Sequence, residues 1–299
     1  MEMTMENEQI KLDVWDDRVR RLISPASRLE KPAEGFRFTE GPVWNETRGC
    51  LYFSDIPANT SYCFKPGEGT VIFRKPSNFS NGMTYDRKGR LLACEHHTRR
   101  VTREEGGVIT TVADRFEGKR LNSPNDVIGT PDGSVLFTDP LYGLQEGLGG
   151  PAEEELDFCG VYRVPPYGGE PLLLVSDFEA PNGLALSNDG SKLYVIDSVR
   201  KHIRVFAVGT GWKLSGGDAF IEMPLETDGI PGGMKLDRNG NIFCTGPGGI
   251  WIYDAAGRLL GRIGMPEVAT NLTWGGKNLD ELYITASTGL YRINTLTRG

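Results

Sequence analysis

With 299 residues, 40 acidic against 33 basic side chains and a net charge of −7, the chain can bury a large core but offers no basic face for nucleic acid. No apolar run is long enough to span a membrane, and the opening MEMTMENEQIKLDVWDD is too acidic for a secretion signal, so a cytoplasmic protein without membrane contact is expected. Five cysteines without CxxC spacing and three histidines, His96, His97 and His202, without metalloprotease spacing argue against a disulfide scaffold or a zinc centre.

Residues 1 to 26 read as an N-terminal extension. Its first ten residues are expected to be disordered, and residues 13 to 24 have the pattern of a short amphipathic helix. From there a single pattern recurs: a Glu or Asn, a few alternating apolar residues, a turn containing Gly or Asp, and a short strand. In chain order the copies are EGPVWNETRGCLYFSD from Glu40, NGMTYDRKGRLLACE from Asn81, NDVIGTPDGSVLFTD from Asn125, NGLALSNDGSKLYVID from Asn182, GGMKLDRNGNIFCTG from Gly232 and NLTWGGKNLDELYIT from Asn271. Each is a β-hairpin signal, and a recurrence of about 40 to 60 residues is that of a four-stranded propeller blade. Cys94 and Cys244 fall inside the second strands, as small buried thiols. The basic run HHTRRVTRE reads as a solvated strand edge.

Two further strand-like runs follow each hairpin: SYCFK and TVIFRK, RRVTRE and GVITTVAD, GVYRV and PLLLVSD, HIRVFAV and AFIEM, GIWIYD and RLLGRIG. The sixth copy has only GLYRINT after it, so a strand from near residues 27 to 38 is expected to complete that blade and close the ring. The fold class is therefore all-β, with residues 27 to 299 forming one six-bladed β-propeller of four-stranded antiparallel blades. First strands line the central channel, which brings Glu40, Asn81, Asn125, Asn182, Gly232 and Asn271 to one mouth. Between FTDPLYG and GVYRV, the turn-rich stretch LQEGLGGPAEEELDFC is long enough to cover that mouth, with Tyr142 and Leu144 facing a ligand.

One carboxylate among several amides is a set of hard oxygen donors, suited to calcium, magnesium or manganese. A cation so held polarises a carbonyl or phosphoryl oxygen and acidifies bound water. The competing account is that Asn and Gly begin these strands because the turns require them.

TEGPVW at 39 to 44, LNSPNDV at 121 to 127, FTDPLYG at 137 to 143, PNGLALS at 181 to 187 and GPGGIWIYD at 246 to 254 resemble, in order, the signature stretches of the regucalcin and gluconolactonase family of propeller lactonases. The likeness runs over nearly the whole chain after residue 30 and is to the bacterial and fungal gluconolactonase branch in particular. It implies one divalent cation, calcium or else magnesium, manganese, zinc or iron, and the opening of a small lactone by water attacking a metal-polarised carbonyl. It further implies Glu40 and Asn182 as metal ligands and Asn125 as a ligand or substrate contact. Ser123 stands where some members carry a substrate-binding arginine. Asn81, Tyr142 and Gly232 complete the expected substrate surface, and the protein is expected as a monomer or homodimer.

The sequence departs from this family at one place. Where the family reads PDGM, with the Asp as ligand and proton acceptor, this chain reads PGGM at 231 to 234. Loss of that carboxylate leaves Glu40 as the only charged first-choice ligand and lowers the affinity expected for calcium. Three accounts are open: an inactivated scaffold, a substitute base at Asp228 or His96, or a pocket remodelled for another ligand. Besides a lactonase, the sequence thus admits a lyase or hydratase using the same metal, and a non-catalytic small-molecule-binding propeller.

Overall fold

A computed structural model of the protein describes residues 7–224 and 229–299. The repeats form six antiparallel sheets arranged as blades. The first blade runs outward through Thr39–Asn45, Cys50–Asp55, Thr60–Lys65 and Gly69–Arg74. The innermost strands of the other five are Ser80–Tyr85, Val127–Gly129, Pro181–Leu186, Met234–Leu236 and Ala269–Gly275. These strands touch in turn around the channel, and the sixth touches the first.

Alternation of apolar and polar residues sends one face of each sheet into its neighbour. The core is accordingly divided into six apolar clusters, each lying between two adjacent blades. Cys94 and Cys244 are fully buried in two of them, and burial pushes both thiols above their ordinary pKa.

The sixth blade closes as its sequence requires: Arg28–Glu34 pairs antiparallel with Gly289–Asn294. The residues before it also join the sheets. Lys11–Val14 adds a fifth strand to blade five, against Leu259–Gly264, and Asn7–Gln9 adds one to blade six, against Arg28–Glu34. Residues 13 to 24 hold the end of a strand and one short 3-10 turn, Asp17–Arg21, where the pattern suggested an amphipathic helix. An outer strand exposes a row of unpaired N–H and C=O groups, and pairing there outweighs a weak local helical preference. A salt bridge of 2.7 Å between Asp13 and Arg262 fixes the register. Among the described residues no helix is long and apolar enough to cross a membrane.

Candidate metal and substrate site at the channel mouth

A cavity of about 220 Å³ opens at one end of the channel, and Glu40, Asn81, Asn125, Asn182 and Gly232 all line it. Their convergence has a local cause. In blades one, two, four and six the ladder between first and second strands is irregular at this point; Asn81 and Gly82, for instance, fall between the pairs Ser80↔Glu95 and Met83↔Ala93. Such bulges twist a strand and re-aim its side chains. Gly82 and Gly183 then donate their N–H groups, each at 2.8 Å, to the carbonyls of Asn125 and Gly232 in the next blade. A Cβ at Gly82 would lie 2.6 Å from the Asn125 oxygen, so only glycine permits that approach.

The same contact identifies the sixth residue of the ring, and it is not Asn271. Gly233 donates to Thr270 O at 2.9 Å, which makes Thr270 the equivalent of Asn125 and Gly232, and Thr270 lines the cavity. The bulge between Ala269 and Asn271 moves the chain one residue from simple alternation. Asn271 instead sits behind Glu40 and donates Nδ2–H to Glu40 Oε2 at 3.1 Å.

Glu40 is buried, and loss of hydration raises its carboxyl from the ordinary 4.5 to about 7, against the opposing hydrogen bonds from Gly41 N–H and Asn271. Both of those bonds fall on Oε2. Two of the amides, Asn81 and Asn182, have fixed orientations. Ser198 Oγ donates to Pro231 O at 2.5 Å, so it can only accept from Asn182 Nδ2, at 3.0 Å. His96 Nδ1 lies 2.7 Å from Leu148 O and must donate, which leaves Nε2 to accept from Asn81 Nδ2 at 3.2 Å. Asn81 Oδ1 and Asn182 Oδ1 are thereby left buried without a partner. Burial holds His96 neutral, with its pKa lowered to about 4.

A divalent cation fits this set. Buried acceptors without donors are costly, and two amide oxygens beside a carboxylate are what a hard cation uses. Among the described residues no three His, Cys, Asp or Glu side chains cluster as ligands, so the amides have to supply most of the donors. Asp126, which sequence reasoning passed over, is buried next to Asn125. Burial raises its carboxyl, and its charge adds to the rise at Glu40.

The remaining expectations divide. Tyr142 lines the cavity, within the 3-10 turn Tyr142–Leu144, but Leu148 rather than Leu144 comes with it. His96 and His97 hold the carbonyls of Leu148 and Gly149 at 2.7 and 2.8 Å and draw that part of the loop across the mouth. Ser123 does not line the cavity: its hydroxyl donates to Pro140 O at 2.5 Å and accepts from Gly143 N at 2.9 Å. His96 is on the wall with both ring nitrogens engaged. Asp228 lies outside the described residues.

Sequence reasoning missed the apolar wall of Phe38, Ile56, Leu148, Ile230, Val268 and Ala269. Three of these had a readable signal. Phe38, Ile230 and Val268 stand two residues before Glu40, Gly232 and Thr270, and residues two apart in an extended chain share a side.

A profile for the SMP-30/Gluconolactonase/LRE-like region matches residues 38–288. A gluconolactonase of Zymomonas mobilis is 34% identical, over 97% of this chain and 87% of its own length. A pentonolactonase of Haloferax volcanii is 31% identical, over 85% of this chain and 82% of its own. The structure of a gluconolactonase from Xanthomonas campestris superposes with a TM-score of 0.91 at 31% identity, covering 98% of this chain and 97% of that one.

Proposed function

The chain belongs to the SMP-30/gluconolactonase/LRE-like family, and on that premise we propose that it hydrolyses a small cyclic ester in the channel-mouth cavity, with a divalent cation held by Glu40, Asn125 and Asn182. The observation that carries this reading is the buried, unpaired amide oxygen of Asn182 on the same wall as the Glu40 carboxylate, with a second such oxygen, on Asn81, left for the substrate. No protein group satisfies them, so a cation, a ligand donor or a bound water has to. A bound cation supplies Lewis acidity toward the ester carbonyl.

The residues themselves do the rest. Ser198 and His96 lock two amides with their oxygens available, so no reorganisation is needed when a ligand arrives. Asn271 and Gly41 hold the Glu40 carboxylate in one rotamer. Leu148 and Tyr142 cover part of the mouth and restrict water. Water adds to the carbonyl carbon, the ring acyl C–O bond breaks, and a hydroxy acid forms that releases one proton near neutral pH. Glu40 is the only carboxylate among the described lining residues, so the attacking water receives weak base assistance.

Proton release from a lactone panel, with and without calcium, magnesium, manganese, zinc or ferrous ion and corrected for spontaneous hydrolysis, tests the reading. Turnover that requires the metal and vanishes in Glu40→Gln is expected; full activity in that variant refutes the assignment. The second reading, a propeller that binds its ligand without turnover, draws on Gly232, which removes the family's expected proton acceptor. Saturable lactone binding with no product would select it.

A further inference from the structure

The cavity wall is unevenly built, and the unevenness points to a substrate class. The ring positions of blades one to four contribute one carboxylate and three amides, Glu40, Asn81, Asn125 and Asn182, while Phe38 and Ile56 of blade one, next to blade six, are apolar. The side made by blades five and six presents Ile230, Gly232, Val268, Ala269 and Thr270. The Thr270 hydroxyl is already spent on Thr39 O at 2.7 Å. Ile230 and Val268 remain 45% and 54% exposed, although they are large aliphatic side chains.

Gly232 is more than a truncated side chain. A Cβ there would stand 2.2 Å from the Thr270 carbonyl oxygen, a backbone atom. That approach is pinned from both sides: Thr245 Oγ1 accepts from Gly232 N at 2.9 Å and from Gly233 N at 3.1 Å, and donates to Thr270 O at 3.2 Å. The fifth blade thus offers bare peptide to the cavity, and the backbone path keeps it bare. No Arg or Lys is among the described lining residues, and Ser123 is turned into the loop.

We infer that the lactone taken by this cavity carries an apolar substituent seated against the blade five and six wall, and is not a polyhydroxylated sugar lactone. The inference rests on the lactonase reading above. Sugar hydroxyls placed on this wall would lose water and find no free side-chain partner among the described residues, which penalises them, whereas each methylene seated there is favourable. The cavity has room for a lactone ring and a short chain.

Three lactones of one ring size test it on the full-length, metal-loaded protein: δ-octanolactone, δ-valerolactone and D-glucono-δ-lactone, with kcat/KM divided by each compound's rate of reaction with hydroxide. The expected order places δ-octanolactone at least roughly tenfold above δ-valerolactone and above the sugar lactone, as a few buried methylenes allow. Val268→Ser and Ile230→Ser, at half-exposed positions where folding should survive, are expected to shrink the octanolactone-to-valerolactone ratio about fivefold. A preference for the sugar lactone, or a ratio that neither variant moves, overturns the inference while leaving the lactonase reading intact. Failure to hydrolyse any of the three with any metal removes the lactonase reading and this inference with it.

Discussion

The two halves of the channel mouth come from one repeated element yet carry different chemistry at their ring positions. On the side of blades one to four, each ring position holds a Glu or Asn, and three of the four are oriented by a neighbour: Asn271 for Glu40, His96 for Asn81, Ser198 for Asn182. On the side of blades five and six the ring positions are Gly232 and Thr270, and aliphatic residues stand two positions before them. A propeller separates scaffold from site: hairpins and interblade clusters hold the ring, so residues at the mouth vary without endangering it.

The strongest way to break the comparison is to disarm the polar half. Glu40→Gln keeps the shape but removes the single carboxylate among the described lining residues. It is expected to lower kcat/KM by roughly 10²-fold or more, with metal binding lost in calorimetry. The same residue contributes to the pH dependence of stability in the metal-free protein, alongside the buried Asp126 and Asp139. Its folded pKa of about 7 stands above the ordinary 4.5, so the folded state holds a proton that the unfolded state has released between those values. Stability should therefore be fullest below pH 4.5 as far as this group is concerned and fall as pH rises through 7, by about 3 kcal/mol in all. Urea melts of the metal-free protein at pH 5 and pH 8, compared with Glu40→Gln, isolate the effect. The variant should lose most of that pH slope, and added cation should restore stability to the unaltered protein at pH 8.

Gly232→Asp attacks the difference from the other side. If the fifth blade had merely lost a side chain, restoring the carboxylate would raise activity. The 2.2 Å approach to Thr270 O instead predicts destabilisation of about 1 to 3 kcal/mol, seen as a lower melting temperature, with no gain in turnover. Ser198→Ala is the mildest probe. It frees the Asn182 amide to rotate and leaves the Asn182 residue in place, so metal affinity should fall about tenfold while the fold is kept.

Much of this was legible in the chain. Hairpins at Glu40, Asn81, Asn125 and Asn182 gave the blades and four of the cavity residues, because turn chemistry and alternation are local properties. The blade that closes with residues 28 to 34 was readable as well, since the sixth repeat lacked an outer strand. The errors were small in sequence and large in consequence. Asn271 looked like the sixth ring residue because it matched the type of the others, but a bulge put Thr270 at the mouth. Leu144 looked like the covering residue, but two histidines from blade two seized the carbonyls of Leu148 and Gly149.

What the sequence by itself determined is the number of blades, the order of the strands, and the kinds of oxygen brought to the mouth. These follow from periodicity, turn residues and composition, which act over a few neighbouring residues. Only the tertiary structure decided which way each amide points, that Ser123 is spent inside the loop, and that position 232 has no room for a side chain. Those outcomes depend on hydrogen-bonding groups and backbone carbonyls contributed by separate strands and loops, at distances of 2 to 3 Å that no spacing along the chain encodes.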